Sequence, residues 1–182
     1  KFTGREIVLT DEQSQGVVAT YRRKYSAITA AWRALNDVGI PVLARGGTFT
    51  FGPCVFEQGA INLPNGLQLK YHDLRHEQGG WVYTYAGETK KLYGGKLLEN
   101  IVQALARIVT MDAGVRIQKR VREYGLWLNL QAHDELVFLT PKPLVATVSE
   151  ILVEEMRRRP SWAPDLPLDC EVGTGPSYGD AK

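Results

Sequence analysis

The chain has 182 residues, 44% of them hydrophobic and 23% charged, a balance that supports a folded core and excludes an intrinsically disordered segment. Lysine and arginine number 22 against 20 acids, and a net charge of +2 does not by itself announce a nucleic-acid partner. No apolar run approaches the roughly 20 residues that a membrane helix needs, so no membrane partner is expected.

The first element expected is a helix from about Asp11 to Val38. Thr10 and Gln13 have capping-box spacing, and Val18, Tyr21, Tyr25, Ile28, Trp32 and Leu35 recur at three- and four-residue steps. Arg22, Arg23, Lys24 and Arg33 put positive charge on the other faces, most simply a solvated surface. Gly39 and Pro41 are expected to end this helix. From Arg45 to Gly87 the texture changes to short alternating runs. Thr48 to Phe51, Ala60 to Leu63, Leu67 to Tyr71 and Trp81 to Tyr85 are expected strands, with a hairpin turn at Pro64-Asn65-Gly66. Gly46-Gly47, Gly79-Gly80 and Gly94-Gly95 mark loops.

A second long helix is expected from about Lys96 to Glu123. Its buried side is assigned to Leu98, Ile101, Val102, Leu105, Ile108, Val109, Val115 and Ile117. Glu99, Gln103, Arg107, Thr110 and Gly114 share another face, polar and small towards its end. Arg116, Lys119, Arg120 and Arg122 suit the helix dipole and are also candidates for phosphate contact. Leu126 to Ala132 and Leu136 to Leu139 then flank His133-Asp134-Glu135, which fits a buried hairpin with the polar triplet at its tip. Pro143 opens a third helix with the stripe Leu144, Val148, Ile151, Leu152 and Met156, closed by Arg157-Arg158-Arg159. Leu168, Cys170 and Val172 alternate as a final strand. Cys54 and Cys170, with no CxxC neighbour, point to two free thiols in a reducing compartment.

The triplet carries the most chemistry. Two adjacent acids repel each other, and a divalent cation relieves that repulsion, which makes Asp134 a candidate metal ligand. Successive strand side chains point to opposite faces, so Glu135 need not reach the same ion. The plain alternative is an exposed turn where Asp and His do nothing. One acid pair does not complete a two-metal site. His72 and His76 have the spacing of a zinc helix but sit beside a strand and Gly79-Gly80, and coincidence is the simpler account. Gly173-Thr174-Gly175 has no following helix and is not a dinucleotide fingerprint.

The run Leu130-Gln131-Ala132-His133-Asp134-Glu135-Leu136-Val137-Phe138 resembles motif C of the family A DNA polymerases, phage type. Tyr93 to Ala104 is similar to the helix preceding motif C in that family. Glu171-Val172-Gly173 through Ser177-Tyr178-Gly179-Asp180 resembles its carboxyl end, and Tyr21 to Tyr25 with Ile28 and Trp32 fits the helix after motif B. These matches follow the family order almost end to end, more thinly over residues 42–90. Where bacterial members carry asparagine four positions before the glutamine, this chain has Glu99, which is expected to pair with a basic residue.

The resemblance implies an α+β fold, an antiparallel palm sheet with the motif C hairpin packed against long helices, plus a small β-hairpin excursion. It implies residues 1–41 as a helical distal-fingers segment, 42–95 as a small antiparallel β region, and 96–182 as a C-terminal palm segment. It further implies template-directed addition of deoxynucleotides to a primer 3′ end by nucleotidyl transfer with two Mg2+ ions. Asp134 would be the metal ligand and Glu135 an auxiliary acid. His133, Gln103 and Arg107 would contact DNA, Gln103 from the minor groove. Primer-template DNA and deoxynucleoside triphosphates would be the partners, in the cytoplasm of a bacterial host. No segment resembles motif A or motif B, and the chain starts at Lys1 instead of methionine. The expectation is therefore a polymerase portion, inactive alone and completed by the remainder of its chain. The alternative is a non-catalytic DNA-binding or split subunit that assembles with a chain carrying motifs A and B.

Overall fold

The computed structural model describes residues 9–181 and is 46% helix and 23% strand, with every strand pairing antiparallel where the register is defined. The chain is therefore α+β, as expected. It divides into two compact units: one of Lys1–Thr50, Val55–Ile61 and Gln68–Glu99, the other of Phe51–Cys54, Asn62–Leu67 and Asn100–Lys182. The first eight positions of the expected fingers segment lie outside the described residues.

In the first unit the expected single helix is three helices and a π turn. Helix α1 spans Asp11–Lys24 behind the capping box, with both bonds between Thr10 and Gln13 formed. Tyr25 leaves the helical well (φ −109°, ψ 50°) before α2, Ser26–Ala34, begins. The periodic stripe divides there too. Val18 and Tyr21 on α1 are exposed, whereas Leu35 beyond α2 is fully buried. Gly39 and Pro41 do not end the helix. Leu35–Gly39 form a π turn in which the Ile40 N–H bonds the Leu35 carbonyl, and α3, Ile40–Arg45, follows with Pro41 in its first turn. A first-turn proline has no bond to lose, and the wider turn absorbs the extra residue. The stop comes at Gly46, whose φ of 92° favours glycine.

The β region is larger than the alternation suggests. Strands β1 (Phe49–Phe51), β2 (Cys54–Glu57), β3 (Ala60–Asn62) and β4 (Gln68–Lys70) form one sheet in chain order. The turn at Pro64-Asn65-Gly66 is present, closed by Leu63 N–H to Leu67 O at 2.8 Å. Strands β5 (His72–Glu77), β6 (Gly80–Tyr85) and β7 (Glu88–Leu92) form a second meander. The polar strands β5 and β7 lack a clear apolar period and are defined by pairing to β6 on both sides. Leu35, Ile40, Leu43, Phe56, Ile61 and Leu97 are buried at the centre of this unit.

Helix α4 runs Gly94–Val121, roughly 42 Å at the usual rise, so Gly94-Gly95 open a helix and are not a loop. A Cβ on Gly94 would lie 1.9 Å from the Trp32 carbonyl oxygen, which is why glycine stands at this close approach. Strands β8 (Leu128–Ala132) and β9 (Glu135–Phe138) make a separate two-stranded ribbon, and α5 spans Val145–Met156 after a 3-10 turn containing Pro143. In the second unit Ile117, Val121 and Leu126 pack with Val148 and Ile151 of α5, joined by Leu136, Phe138, Leu144, Leu152 and Met156. Val102 and Val115, assigned above to the buried side of α4, are 54% and 52% exposed. Ile101, Ile108 and Ile117 are buried as expected, and Ala113 and Val121 complete the inward face.

The expected final strand is not one. Leu166, Leu168, Cys170 and Val172 are half-buried and the residues between them exposed, an alternation like a strand's, yet no ladder forms among the described residues. Arg157 holds Asp169 at 2.7 Å instead. Both cysteines are free. Among the described residues, no helix is long and apolar enough to cross a membrane.

Candidate functional site

The ribbon is fixed to α4 at two points. At its root Gln118 donates to Leu126 O at 3.0 Å and accepts from Leu128 N–H at 2.6 Å, so one amide satisfies both backbone groups. Nearer the tip, Leu136 lies over Gly114, where a Cβ would be 3.5 Å from Leu136 Cδ1. Passing from Gln118 to Gly114 moves one turn towards the start of α4. Passing from Leu128 to Gln131, the partner of Leu136, moves towards the ribbon tip. The tip therefore advances along α4 in the direction of Thr110, Arg107 and Gln103. Gly114 shares its helix face with those three residues, and Arg107 and Gln103 lie about 10 and 16 Å further along the axis. Both are exposed. The polar face read from sequence is thus the face along which the triplet is carried.

The tip itself is a two-residue loop, His133-Asp134, between the paired residues Ala132 and Glu135. His133 takes a left-handed φ of 53° at the first loop position, the positive φ that tight two-residue hairpin turns need there. The side-chain amide of Gln131 donates to the His133 carbonyl and braces that turn. The ribbon is not buried as expected. Leu136 and Phe138 face the core, whereas Leu130 is 46% and Leu139 74% exposed, because only one face of the ribbon is packed.

The two acids differ in their commitments. Asp134 is exposed, and no hydrogen bond or ion pair among the described residues engages it. Glu135, one position on, accepts a hydrogen bond from the Tyr178 hydroxyl. Strand alternation separates them further: Leu136 faces the core, so Glu135 and Val137 project from the outer face. Sequence reasoning missed Tyr178 as a site residue, since nothing local ties it to a residue so far upstream.

Two members of the basic cluster, Arg116 and Arg120, are spent on structure. Glu155 of α5 is 6% exposed and receives Arg116 Nε on Oε2 at 2.8 Å and Arg120 on Oε1 at 3.0 Å. Arg116 also donates to the Glu155 carbonyl, and Arg120 reaches Glu154 at 2.7 Å. Burial works against the charge on Glu155, but the hydrogen bonds and positive fields of Arg116 and Arg120 outweigh it and hold the carboxyl below the ordinary glutamate range. Arg122 stacks over Trp127 with 5.1 Å to the ring centroid. Of the candidates for phosphate contact, Arg116 and Arg120 are engaged by acids and Lys119 is exposed; Arg107, on the polar face, is exposed too. Glu99 pairs with Lys96 at 3.0 Å, the basic partner expected for it.

Asp134 and Glu135 supply too few oxygens for a two-ion cage, and among the described residues no group of three or more His, Cys, Asp or Glu is placed to hold a metal. His72 and His76 stand four apart on strand β5, roughly 13 Å along it, too far to grip one ion. His76 packs edge-on against Trp81 at 5.2 Å.

The chain is 32% identical over 162 residues to the DNA polymerase of Bacillus phage SP02, a match covering 81% of this chain and 23% of the phage protein. It is 37% identical over 81 residues to the thermostable DNA polymerase I of Thermus thermophilus, covering 44% of this chain and 10% of that enzyme. DNA polymerase I of Bacillus subtilis (strain 168) is 32% identical over 83 residues, covering 44% and 9%. The chain thus spans about a quarter or less of the length of the curated relatives it matches. No protein-family model matches it, and no solved structure matches it significantly. The chain is a homologue of the family A DNA polymerases, the group of DNA polymerase I and its phage counterparts, over part of their length.

Proposed function

We propose that this chain is the palm and distal-fingers portion of a template-directed DNA polymerase and carries the motif C half of its nucleotidyl-transfer site. The observation that favours this reading most is the asymmetry at the ribbon tip. Of two adjacent acids, Asp134 is exposed and uncommitted, while Glu135 is engaged by Tyr178. Asp134 is then the metal ligand and Glu135 an acid held beside it. Mg2+, when bound with ligands from outside these residues, would lower the charge barrier to attack of a primer 3′-hydroxyl on the α-phosphorus of a deoxynucleoside triphosphate.

The chain's own residues bind and orient. Arg107 offers a guanidinium to a backbone phosphate of primer-template DNA. Gln103, about one turn further on, offers an amide donor to the minor-groove acceptors that every correct base pair presents. His133, in the tip itself, approaches the primer-terminal backbone. The chain lacks motif A and motif B, so by itself it extends no primer.

Primer extension tests this directly. The 182-residue chain alone should yield no product. In a complete polymerase containing it, Asp134→Ala should abolish extension and leave primer-template binding in a gel-shift assay. Extension by the isolated chain, or full extension by the Asp134→Ala enzyme, would defeat the reading.

A further inference from the structure

The segment after Val172 doubles back on itself. A Cβ on Gly173 would lie 1.7 Å from the Ala181 carbonyl oxygen, and one on Gly175 would lie 2.7 Å from Asp180 atoms. Neither glycine has a left-handed φ, so these positions serve close approach and not a special turn. Residues 173–181 therefore close into a compact loop whose ends touch, within the size range of an Ω-loop. Inside it, Asp180 N–H bonds Ser177 O at 3.2 Å and the Ser177 hydroxyl donates to the Asp180 carboxylate. This turn brackets Tyr178. The glycine pair that makes no dinucleotide fingerprint thus shapes a loop that presents one phenol.

That phenol meets the ribbon on its outer face. Leu136 and Phe138 point into the core, which sends Glu135 to the opposite side, opposite Ala132. The Tyr178 hydroxyl donates to Glu135 Oε2 there. A carboxylate on a surface strand otherwise samples several rotamers, some of them reaching back towards its neighbour Asp134. A hydrogen bond to a charged oxygen selects among them.

We propose that Tyr178 is a positioning residue of the candidate site: presented by the 173–181 loop, it fixes the direction of Glu135 and so leaves Asp134 as the acid that faces a cation. The inference rests on the polymerase reading for its functional meaning, but not for its structural content. Tyr178 touches neither substrate nor metal in this role; it acts through Glu135.

Two measurements test it. In the 182-residue chain labelled with carboxyl-13C glutamate, the Glu135 resonance, assigned by its loss in Glu135→Gln, should move in Tyr178→Phe. It should move similarly in Gly173→Ala, which keeps the hydroxyl but opens the loop. An unmoved resonance in Tyr178→Phe overturns the proposal, and an unmoved one in Gly173→Ala overturns the part given to the loop. In a complete polymerase containing this segment, Tyr178→Phe and Glu135→Gln should each lower kcat about two- to tenfold with the nucleotide KM unchanged. The double variant should be no worse than the worse single one, as for residues that act as a unit. Additive losses overturn it. Asp134→Ala separates the two claims. Activity retained there removes the polymerase site while the resonance shift stands; activity lost there with an unmoved resonance removes only Tyr178's role.

Discussion

Replacing Glu155 by alanine should cost the second unit about 2–3 kcal/mol of unfolding free energy. The figure follows from the surroundings of each contact. Arg116 is 28% exposed and meets a carboxylate 7% exposed at 2.8 Å, a shielded charged hydrogen bond of the kind worth about 1.5–3 kcal/mol. The Arg120 contact is wetter and Arg120 keeps Glu154, so it adds little to the loss. Removing the acid also leaves the half-buried Arg116 without its anion. Urea unfolding at pH 7, followed by far-ultraviolet circular dichroism, measures the loss. A cost below about 0.5 kcal/mol would place this contact among ordinary surface ion pairs and refute the reasoning. The pH dependence gives a second check. The folded-state carboxyl lies below its unfolded value of about 4.3, so its stabilisation is complete above that pH and is lost as pH falls through the lowered value. Glu155→Gln, similar in shape but uncharged, should flatten this acid limb, and an unchanged limb would contradict the assignment.

Other outcomes follow from single positions. Gly94→Ala forces a Cβ within 1.9 Å of a backbone oxygen and should destabilise the first unit by about 1–3 kcal/mol in urea unfolding; a neutral result would mean that α4 does not approach Trp32 this closely. Gly114→Ala should instead stabilise by up to about 1 kcal/mol, because a Cβ there makes ordinary contact with Leu136 while helix propensity improves. A loss of stability in that variant would place the ribbon nearer to α4. Cys54 is fully buried and burial pushes its thiol up, so it should resist an aromatic disulfide reagent at pH 8 until the chain is unfolded. Rapid labelling in the absence of urea would show that β2 opens readily.

What could be read from sequence was local. The Thr10–Gln13 capping box, the length of α4 and the His133-Asp134 tip each depend on residues a few positions apart. The misreadings came where longer-range terms decided. Val102 and Val115 fit the helical period but face outward, because the inward face of α4 is set by the elements packed on it. Leu168, Cys170 and Val172 alternate as a strand does, yet no strand among the described residues pairs with them. Strand β7, Glu-Thr-Lys-Lys-Leu, has almost no apolar signal and exists through its register with β6. The candidate site divides the same way. Asp134 and Glu135 stood out by residue type, and Gln103 and Arg107 by a shared helix face together with the family resemblance, whereas Tyr178 and the Glu155 cluster join residues 34 to 43 positions apart.

The π turn at Leu35–Gly39 holds more residues per turn than the α-helices on either side, so the chain carries spare length at that one place. Deleting a single residue there would let the helix run on without a break, but would swing every upstream side chain by about 100° about the axis. Trp32, whose carbonyl now sits against Gly94, would lose that seat although no residue in the contact had changed. A one-residue deletion, harmless in many surface loops, becomes at this position a change of azimuth for the whole first helical arm.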